Sequence, residues 1–395
     1  MTVQYIDDLE FAGKRVFLRA DLNVPLDEHQ NITDDTRIQA VLPTLTYLLR
    51  HGARVVVASH LGRPKDGQKD PKYSLMPVSA RLAQLLDKDV IQAPEVISDG
   101  VRFQAQQLKE GEVMVLENVR FHPGEKKNDP ELAKSWAEFT DAYVNDAFGS
   151  SHRAHASIDA LARIVPIKCA GFLMRKELQS FKLALDKPAR PVIAILGGAK
   201  VSDKVGVIQN LFDKVDAIVI GGAMAYTFLK QLGENVGKSL VEEGKLTLAG
   251  EILKSAKSKG VAIHLPTDHV AATKIEAGAA HRVVGAGGFA EDEMGLDIGP
   301  ATREAFAKVI AEAKTVIWNG PMGVFEIEEF SHGTFAVAAA VAKADGLSVV
   351  GGGDSVSAIH KSGVADKISH ISTGGGASLE LLEGRVLPGI AALES

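Results

Sequence analysis

Charged side chains in this sequence fall at the ends of short apolar runs, where a parallel sheet would present them along one edge. Arg19 follows the run Arg15–Leu18, and His60 and Arg63 follow Arg54–Ala58. Arg120 and His122 follow Val113–Leu116, while His152, Arg153 and His155 follow Ala142–Val144. Guanidinium forks match carboxylate and phosphate oxygens two bonds at a time. A single loop arginine is more often just a solvated surface group, but arginines after four strands describe a pocket for a small, highly charged anion. The histidines are weaker signals. None has zinc-type spacing with a second ligand pair, and a loop imidazole is more often structural than catalytic.

The second half carries a different inventory. Pro191–Leu196 runs into Gly197-Gly198-Ala199-Lys200, with Lys204 one helical turn further on. Ala217–Ile220 ends in Gly221-Gly222, Thr315–Asn319 in Gly320-Pro321-Met322-Gly323, and Ile371–Thr373 in Gly374–Gly376. The fullest example is Leu347–Ile359: an apolar strand, then Gly351–Gly353, then a helix that Asp354 or Ser355 can cap. Bare N–H groups and the helix N-terminus suit a phosphate there. Paired glycines let backbone close around a larger flat ligand with a phosphate tail. Asp354 is an odd charge for a phosphate loop unless a divalent cation intervenes, since Mg²⁺ takes one or two carboxylates plus phosphate oxygens. A plain helix cap is an equally good account of it.

Elements that would position these groups alternate along the chain. The short strands above, with Val90-Ile91 among them, are separated by helical stretches. The first helix opens at Thr33 and Asp34, shows the face Ile38, Val41, Leu42, Leu45, Leu48 and Leu49, and stops at Gly52. Alternation of this kind predicts parallel sheets covered on both faces, with ligands at the carboxyl ends of the strands. At 395 residues the chain exceeds one core, so two domains are expected. The boundaries read as 1–172, a connecting hinge helix 173–187, and 188–383, with a tail at 384–395.

Composition excludes several classes. A net charge of −6 gives no global attraction to nucleic acid or acidic membranes. Cys169 is the only cysteine, so no internal disulfide forms and a reducing compartment is expected. No apolar run nears 18 residues and the start lacks a leader pattern, which predicts a soluble, cytoplasmic protein. Two apparent motifs fail. Gly233–Ser239 has its first glycine too close to Gly237-Lys238 and no preceding strand, and Gly285–Ala290 runs into acidic residues rather than a helix.

RADLNVP (Arg19–Pro25), SHLGRP (Ser59–Pro64), ENVRFHPGE (Glu117–Glu125), YVNDAFGSSHRAHAS (Tyr143–Ser157), LGGAKVSDK (Leu196–Lys204), MGLDIGP (Met294–Pro300), WNGPMGVFE (Trp318–Glu326), GGGDS (Gly351–Ser355) and ISTGGGASLELLEG (Ile371–Gly384) together resemble phosphoglycerate kinases. The resemblance runs essentially end to end. It implies two Rossmann-like α/β/α domains, an N-terminal one for phosphoglycerate and a C-terminal one for nucleotide, in a hinge-bending monomer whose tail packs back on the first domain. It further implies phosphoryl transfer between MgATP and 3-phosphoglycerate, giving ADP and 1,3-bisphosphoglycerate, and running towards ATP in glycolysis. By the same resemblance Asp21, Asn23, Arg37, His60, Arg63, Arg120 and Arg153 hold phosphoglycerate. Lys200, Lys204, Gly295, Asn319, Glu326, Gly352, Gly353, Asp354 and Ser355 hold the nucleotide, with Asp354 towards Mg²⁺ and Glu326 towards the ribose. Arg37, Lys200, Gly352 and Gly375 serve the transfer itself. Arg175, His332 and Phe335 depart from the family pattern without touching a motif.

The acceptor in that reaction is a carboxylate, already ionised at neutral pH, so no general base is needed. Arginines, lysines, a metal and helix N-termini suffice for positioning and charge stabilisation, which fits the absence of a Ser–His or Asp–His pair. A nicotinamide-dependent dehydrogenase would need G-x-G-x-x-G where Arg19-Ala20-Asp21 stands. A nucleic-acid binder would interleave aromatics with its arginines, and an inactive homologue would show a gap among the motif residues.

Overall fold

The computed structural model describes residues 3–65 and 67–394. The chain divides into two units, Met1–Leu178 with Val386–Ser395, and Gln179–Arg385.

In the first unit, β1 (Arg15–Ala20), β2 (Arg54–Ala58), β3 (Val90–Gln92), β4 (Val113–Val115), β5 (Ala142–Asp146) and β6 (Ile167–Ala170) form one sheet. Its order is β3-β4-β2-β1-β5-β6, and every pairing is parallel. Strand side chains alternate between faces. Val16 and Leu18 therefore join Val55 and Val57 against Ile38, Val41, Leu45 and Leu48 of the helix Thr36–Arg50. Phe17 lies on the other face, 5.4 Å from the Trp136 ring of the helix Pro130–Ala137 and 6.2 Å from Tyr143. Arg19 shares that second face, which decides its partners below. The helix Thr36–Arg50 starts later than Thr33 and Asp34 suggest, because Asp34 Oδ1 instead accepts from Thr36 N at 2.8 Å in a local turn. The tail belongs to this unit: Leu387 and Leu393 are buried, and Gly389 N donates to Ser151 O at 2.9 Å.

The second unit repeats the plan with β7 (Val192–Leu196), β8 (Ala217–Ile220), β9 (Ala262–His264), β10 (Asp268–Ala272), β11 (His281–Gly285), β12 (Met294–Ile298), β13 (Thr315–Asn319), β14 (Leu347–Gly351) and β15 (His370–Ile371). Six of these form a parallel sheet, β15-β14-β13-β7-β8-β9, and three form an antiparallel sheet, β11-β10-β12. Ile195, Trp318 and Val350 of the parallel sheet pack against Phe306, Ile310, Val337 and Val341 of two helices. The antiparallel sheet is absent from the sequence reading. Its strand β11 is exposed at four of five positions, so it lacks the apolar alternation that marks a strand.

The helix Phe172–Leu185 runs through the division at Leu178. Its start is held by Thr44 Oγ1, accepting from Phe172 N at 2.9 Å, and by Asp146 Oδ1, accepting from Met174 N at 3.0 Å. Asp146 is fully buried and its Oδ2 has no hydrogen-bond partner. Burial pushes its carboxyl up to about 7, against hydrogen bonds from Thr44, Met174 and Leu173. A carboxyl raised on folding contributes stability that is fully present below the unfolded value, about 4, and is lost as pH rises through 7. Asp146→Asn carries no such dependence. The difference in unfolding free energy between variant and wild type should therefore move in the variant's favour from pH 4 to pH 8, as measured by urea denaturation. A constant difference would mean that Asp146 does not titrate in this range.

Arg175 pairs with Asp7, Nη1 lying 2.8 and 2.6 Å from its two carboxylate oxygens. Its guanidinium also sits 5.0 Å from the centroid of the Tyr5 ring.

Candidate active site

The carboxyl edge of the first sheet brings together Asp21 after β1, His60 after β2 and Arg120 after β4. Arg37 reaches them from the first turn of the helix Thr36–Arg50. Asp21 Oδ2 accepts from Arg37 Nη1 at 2.6 Å, and Asn23 Oδ1 accepts from Gly62 N at 2.7 Å. Gly62 O in turn accepts from Arg120 Nη1 at 2.7 Å, so Asn23 and Arg120 hold the flanking peptides of Gly62. That residue has φ +60°, and a side chain there would run into the Tyr73 ring. Arg19 Nη2 lies 3.3 Å from His60 Nδ1. Arg63 and Arg153 are exposed; Arg153 acts on Arg120, and its Nε donates to His152 Nε2 at 3.2 Å. His122 is a turn residue, its Nδ1 accepting from Gly124 N at 3.1 Å.

Positive charge in this cluster exceeds what the protein neutralises. Burial pushes the Arg120 guanidinium down to about 10, and Arg19 and Arg153 add to the effect. Its Nε is buried without a hydrogen-bond partner. Burial, Arg120 and Arg19 lower the His155 imidazole to about 3. Burial also holds His60 well below its usual value despite Asp21. Both rings are thus neutral at pH 7. Burial works against the Asp21 carboxylate, yet the guanidinium groups of Arg37 and Arg19 and the Asn23 N–H help keep it below the ordinary carboxylate range. An anion would complete the unfilled donors and relieve the crowding of like charges.

In the second unit, two cavities share Gly198, Ala199, Pro321 and Asp354. One, of about 550 Å³, is lined by Lys200, Lys204, Gly352, Gly353, Ser355 and Gly375, with Asn319 at its base. The other, of about 300 Å³, is lined by Gly295, Leu296, Met294, Leu240, Ile275 and Glu326. The first offers cations, bare backbone and the start of the helix Gly353–Ser362. The second is mainly apolar, with the exposed Glu326 on its wall. A flat base with a phosphate tail matches the pair. Asn319 ties the loops: its Oδ1 accepts from Lys204 Nζ, and its Nδ2 donates to Gly351 O at 2.9 Å. Burial lowers the Lys204 ammonium, while Asp203, Asp354 and Glu383 hold it up.

Local details differ from the sequence reading. Neither Asp354 nor Ser355 caps its helix, whose N-cap is Gly352. Ser355 Oγ instead accepts from Gly320 N at 2.6 Å, and Asp354 is left exposed on the cavity wall. Lys200 and Lys204 both precede their helix, which starts at Val205, so they lie in the loop before it rather than on a helical face. The glycines serve two purposes. A side chain at Gly197 would strike Pro321 O and one at Gly320 would strike Gly197 O, so these two let strand-end loops touch each other. Gly375, at φ +51°, meets nothing within 4 Å and faces open space. The sequence reading also omits Asn118, buried after β4, whose Nδ2 donates to Leu61 O at 2.8 Å and Tyr73 O at 2.9 Å. A further cavity, about 730 Å³, lies elsewhere, between residues 30–35 and the helix Met76–Leu86, and its one guanidinium, Arg81, is paired with Asp35.

A cation cluster on one parallel α/β unit and a cavity pair suited to a nucleotide on another fit a phosphotransferase of two α/β units. Relatives agree. A family model described as phosphoglycerate kinase matches residues 6–385. A phosphoglycerate kinase from Geobacter metallireducens is 55% identical over 395 residues, covering 100% of this chain and 99% of the relative. One from Thermosipho africanus is 55% identical over 392 residues, covering 98% and 97%. The solved phosphoglycerate kinase structure from Coxiella burnetii superposes with a TM-score of 0.93 at 42% identity, over 99% of both chains. That from Pyrococcus horikoshii gives 0.81 at 34%, over 98% of both. The chain belongs to the phosphoglycerate kinase family. It is accordingly a phosphotransferase with a carboxyl acceptor and ATP/ADP as co-substrate, and ATP formation in glycolysis is the family's reaction.

Proposed function

We propose that the arginine cluster of the first unit binds 3-phosphoglycerate and that the cavity pair of the second binds ATP or ADP, the phosphoryl group passing directly between them. The observation that carries this reading is the buried, unpartnered Nε of Arg120 among the guanidinium groups of Arg19 and Arg153, a cation cluster that lacks its anion. Asp21, Asn23, Arg37, His60, Arg63, Arg120 and Arg153 orient the substrate. Lys200 and Lys204 meet the nucleotide phosphates, Asn319 braces Lys204, and Gly295 and Glu326 flank the nucleoside. Gly352, Gly353, Ser355 and Gly375 form the backbone cradle. The acceptor carboxylate attacks unaided, so the neutral His60 serves as a hydrogen-bonding group rather than a base.

Mg²⁺ fits these residues. The Asp354 carboxylate makes no hydrogen bond or ion pair among the described residues, and they contain no cluster of three or more His, Cys, Asp or Glu that would cage a metal without phosphate. Asp354 would hold the ion together with nucleotide oxygens, and the ion supplies charge neutralisation on the phosphates. Direct transfer requires the two ligands to meet with water excluded, so hinge bending between domains 1–172 and 188–383 through the helix 173–187 belongs to this proposal. So do action as a monomer and a cytoplasmic location.

The test is an ADP-release assay with MgATP and 3-phosphoglycerate, hydroxylamine trapping the acyl phosphate. Release that needs both substrates and Mg²⁺, at about 1 s⁻¹ or faster, is expected. ADP release indifferent to phosphoglycerate would replace the acceptor.

A further inference from the structure

Behind the arginine cluster lies a buried relay with no part in the chemistry above. Glu125 and Ser157 are fully buried and Arg19 is 1% exposed. Glu125 Oε2 accepts from Ser157 N at 2.9 Å, and Oε1 accepts from Ser157 Oγ at 2.6 Å. The same Ser157 Oγ accepts from Arg19 Nε at 2.9 Å. Tyr143 Oη fixes the Ser157 carbonyl at 2.8 Å, and Ala156 N donates to Glu125 O at 2.9 Å.

A hydroxyl has one proton. With that proton on Glu125, Ser157 Oγ can only accept from Arg19, so the relay has one direction. Arg19 Nη1 donates to Ala20 O. With Nε and Nη1 both fixed, the plane of the guanidinium is set, and Nη2 falls 3.3 Å from His60 Nδ1. Simple neutralisation would place the carboxylate against the guanidinium. Here a serine intervenes, which trades Coulomb energy for orientation.

We propose that Glu125 and Ser157 are positioning residues for the phosphoglycerate site: they set the plane of Arg19, and through it His60, without touching substrate. This rests on the reading of the first unit as that site.

Ser157→Ala removes one hydroxyl and leaves both charges in place. Its KM for 3-phosphoglycerate should rise about tenfold, the effect of a lost hydrogen bond to a charged group, with KM for ATP nearly unchanged. Ser157→Thr should restore most of the loss. Glu125→Gln should raise the same KM, and combining it with Ser157→Ala should add little. Arg120→Ala serves as the control. If Arg120→Ala raises KM for 3-phosphoglycerate while Ser157→Ala leaves it unchanged, or only lowers the thermal midpoint, the relay is structural and the proposal falls. If neither variant moves that KM, the site itself is misplaced and both readings fall. Ser157→Ala decides the matter if Glu125→Gln fails to fold.

Discussion

Arg37→Ala is expected to lower kcat by about 10³-fold while moving KM for 3-phosphoglycerate by no more than about threefold, the range seen when an arginine serves mainly the transferring phosphoryl group. The reasoning starts from how Arg37 is held. Its Nη1 is pinned on Asp21 Oδ2 at 2.6 Å, and Asp21 Oδ1 accepts from Asn23 N at 3.3 Å. One edge of the guanidinium is thus fixed and its remaining donors are uncommitted. On the proposed reading, Arg63, Arg120, Arg153, Asn23 and His60 remain to hold the ground-state substrate when Arg37 is replaced. A contact that strengthens only as charge spreads over the equatorial oxygens appears in kcat rather than in KM. Steady-state kinetics with 3-phosphoglycerate varied at saturating MgATP makes the distinction. A raised KM with kcat intact would assign Arg37 to substrate binding instead.

Asp354→Asn carries the second large effect. Asp354 lines both cavities of the second unit and, among the described residues, is the one carboxylate they share. Mg²⁺ holds its waters tightly and takes few carboxylates, so the loss of a single anionic ligand matters. The expected result is a fall in kcat of about 10²-fold or more at low Mg²⁺, with the Mg²⁺ concentration for half-maximal rate raised. Metal-free ADP should bind as well or better, because a negative charge near the phosphates is gone. Titrating Mg²⁺ in the rate assay and metal-free ADP by calorimetry separates the two. An unchanged Mg²⁺ dependence would reduce Asp354 to a loop residue.

Asp354 is visible in the local sequence as a charge among glycines, whereas Arg37 enters only through the family resemblance. Arg19, His60, Arg63 and Arg120 follow short β-branched runs, and such runs mark buried parallel strands whose ends gather at one edge. The positions are legible because chain direction fixes them. What stays hidden is set by contacts across long sequence separations. Ser355 looks like a helix cap, but its hydroxyl is taken by Gly320 N, 35 residues away. Glu125 reads as the last letter of a motif, although its partner Ser157 lies 32 residues on. Glycines raise a related difficulty. Gly197 and Gly375 look alike in sequence, yet one admits a neighbouring loop and the other faces a cavity. The antiparallel strands escape notice because an exposed edge strand such as His281–Gly285 needs no apolar alternation.

The tail gives the chain an inverted order of assembly. Leu387, Gly389 and Leu393 lie against the first unit, where Asn145 Nδ2 donates to Gly389 O at 3.3 Å and a side chain at Gly389 would press on Ser151 and Ile158. The second unit is one continuous stretch, Gln179–Arg385. During synthesis from the N-terminus, the unit whose sequence begins first is therefore the last to receive all its parts. The second unit can close on itself without residues 386–395, whereas the first cannot be completed until they are made, so a chain cut short before Val386 would join a finished second unit to an unfinished first.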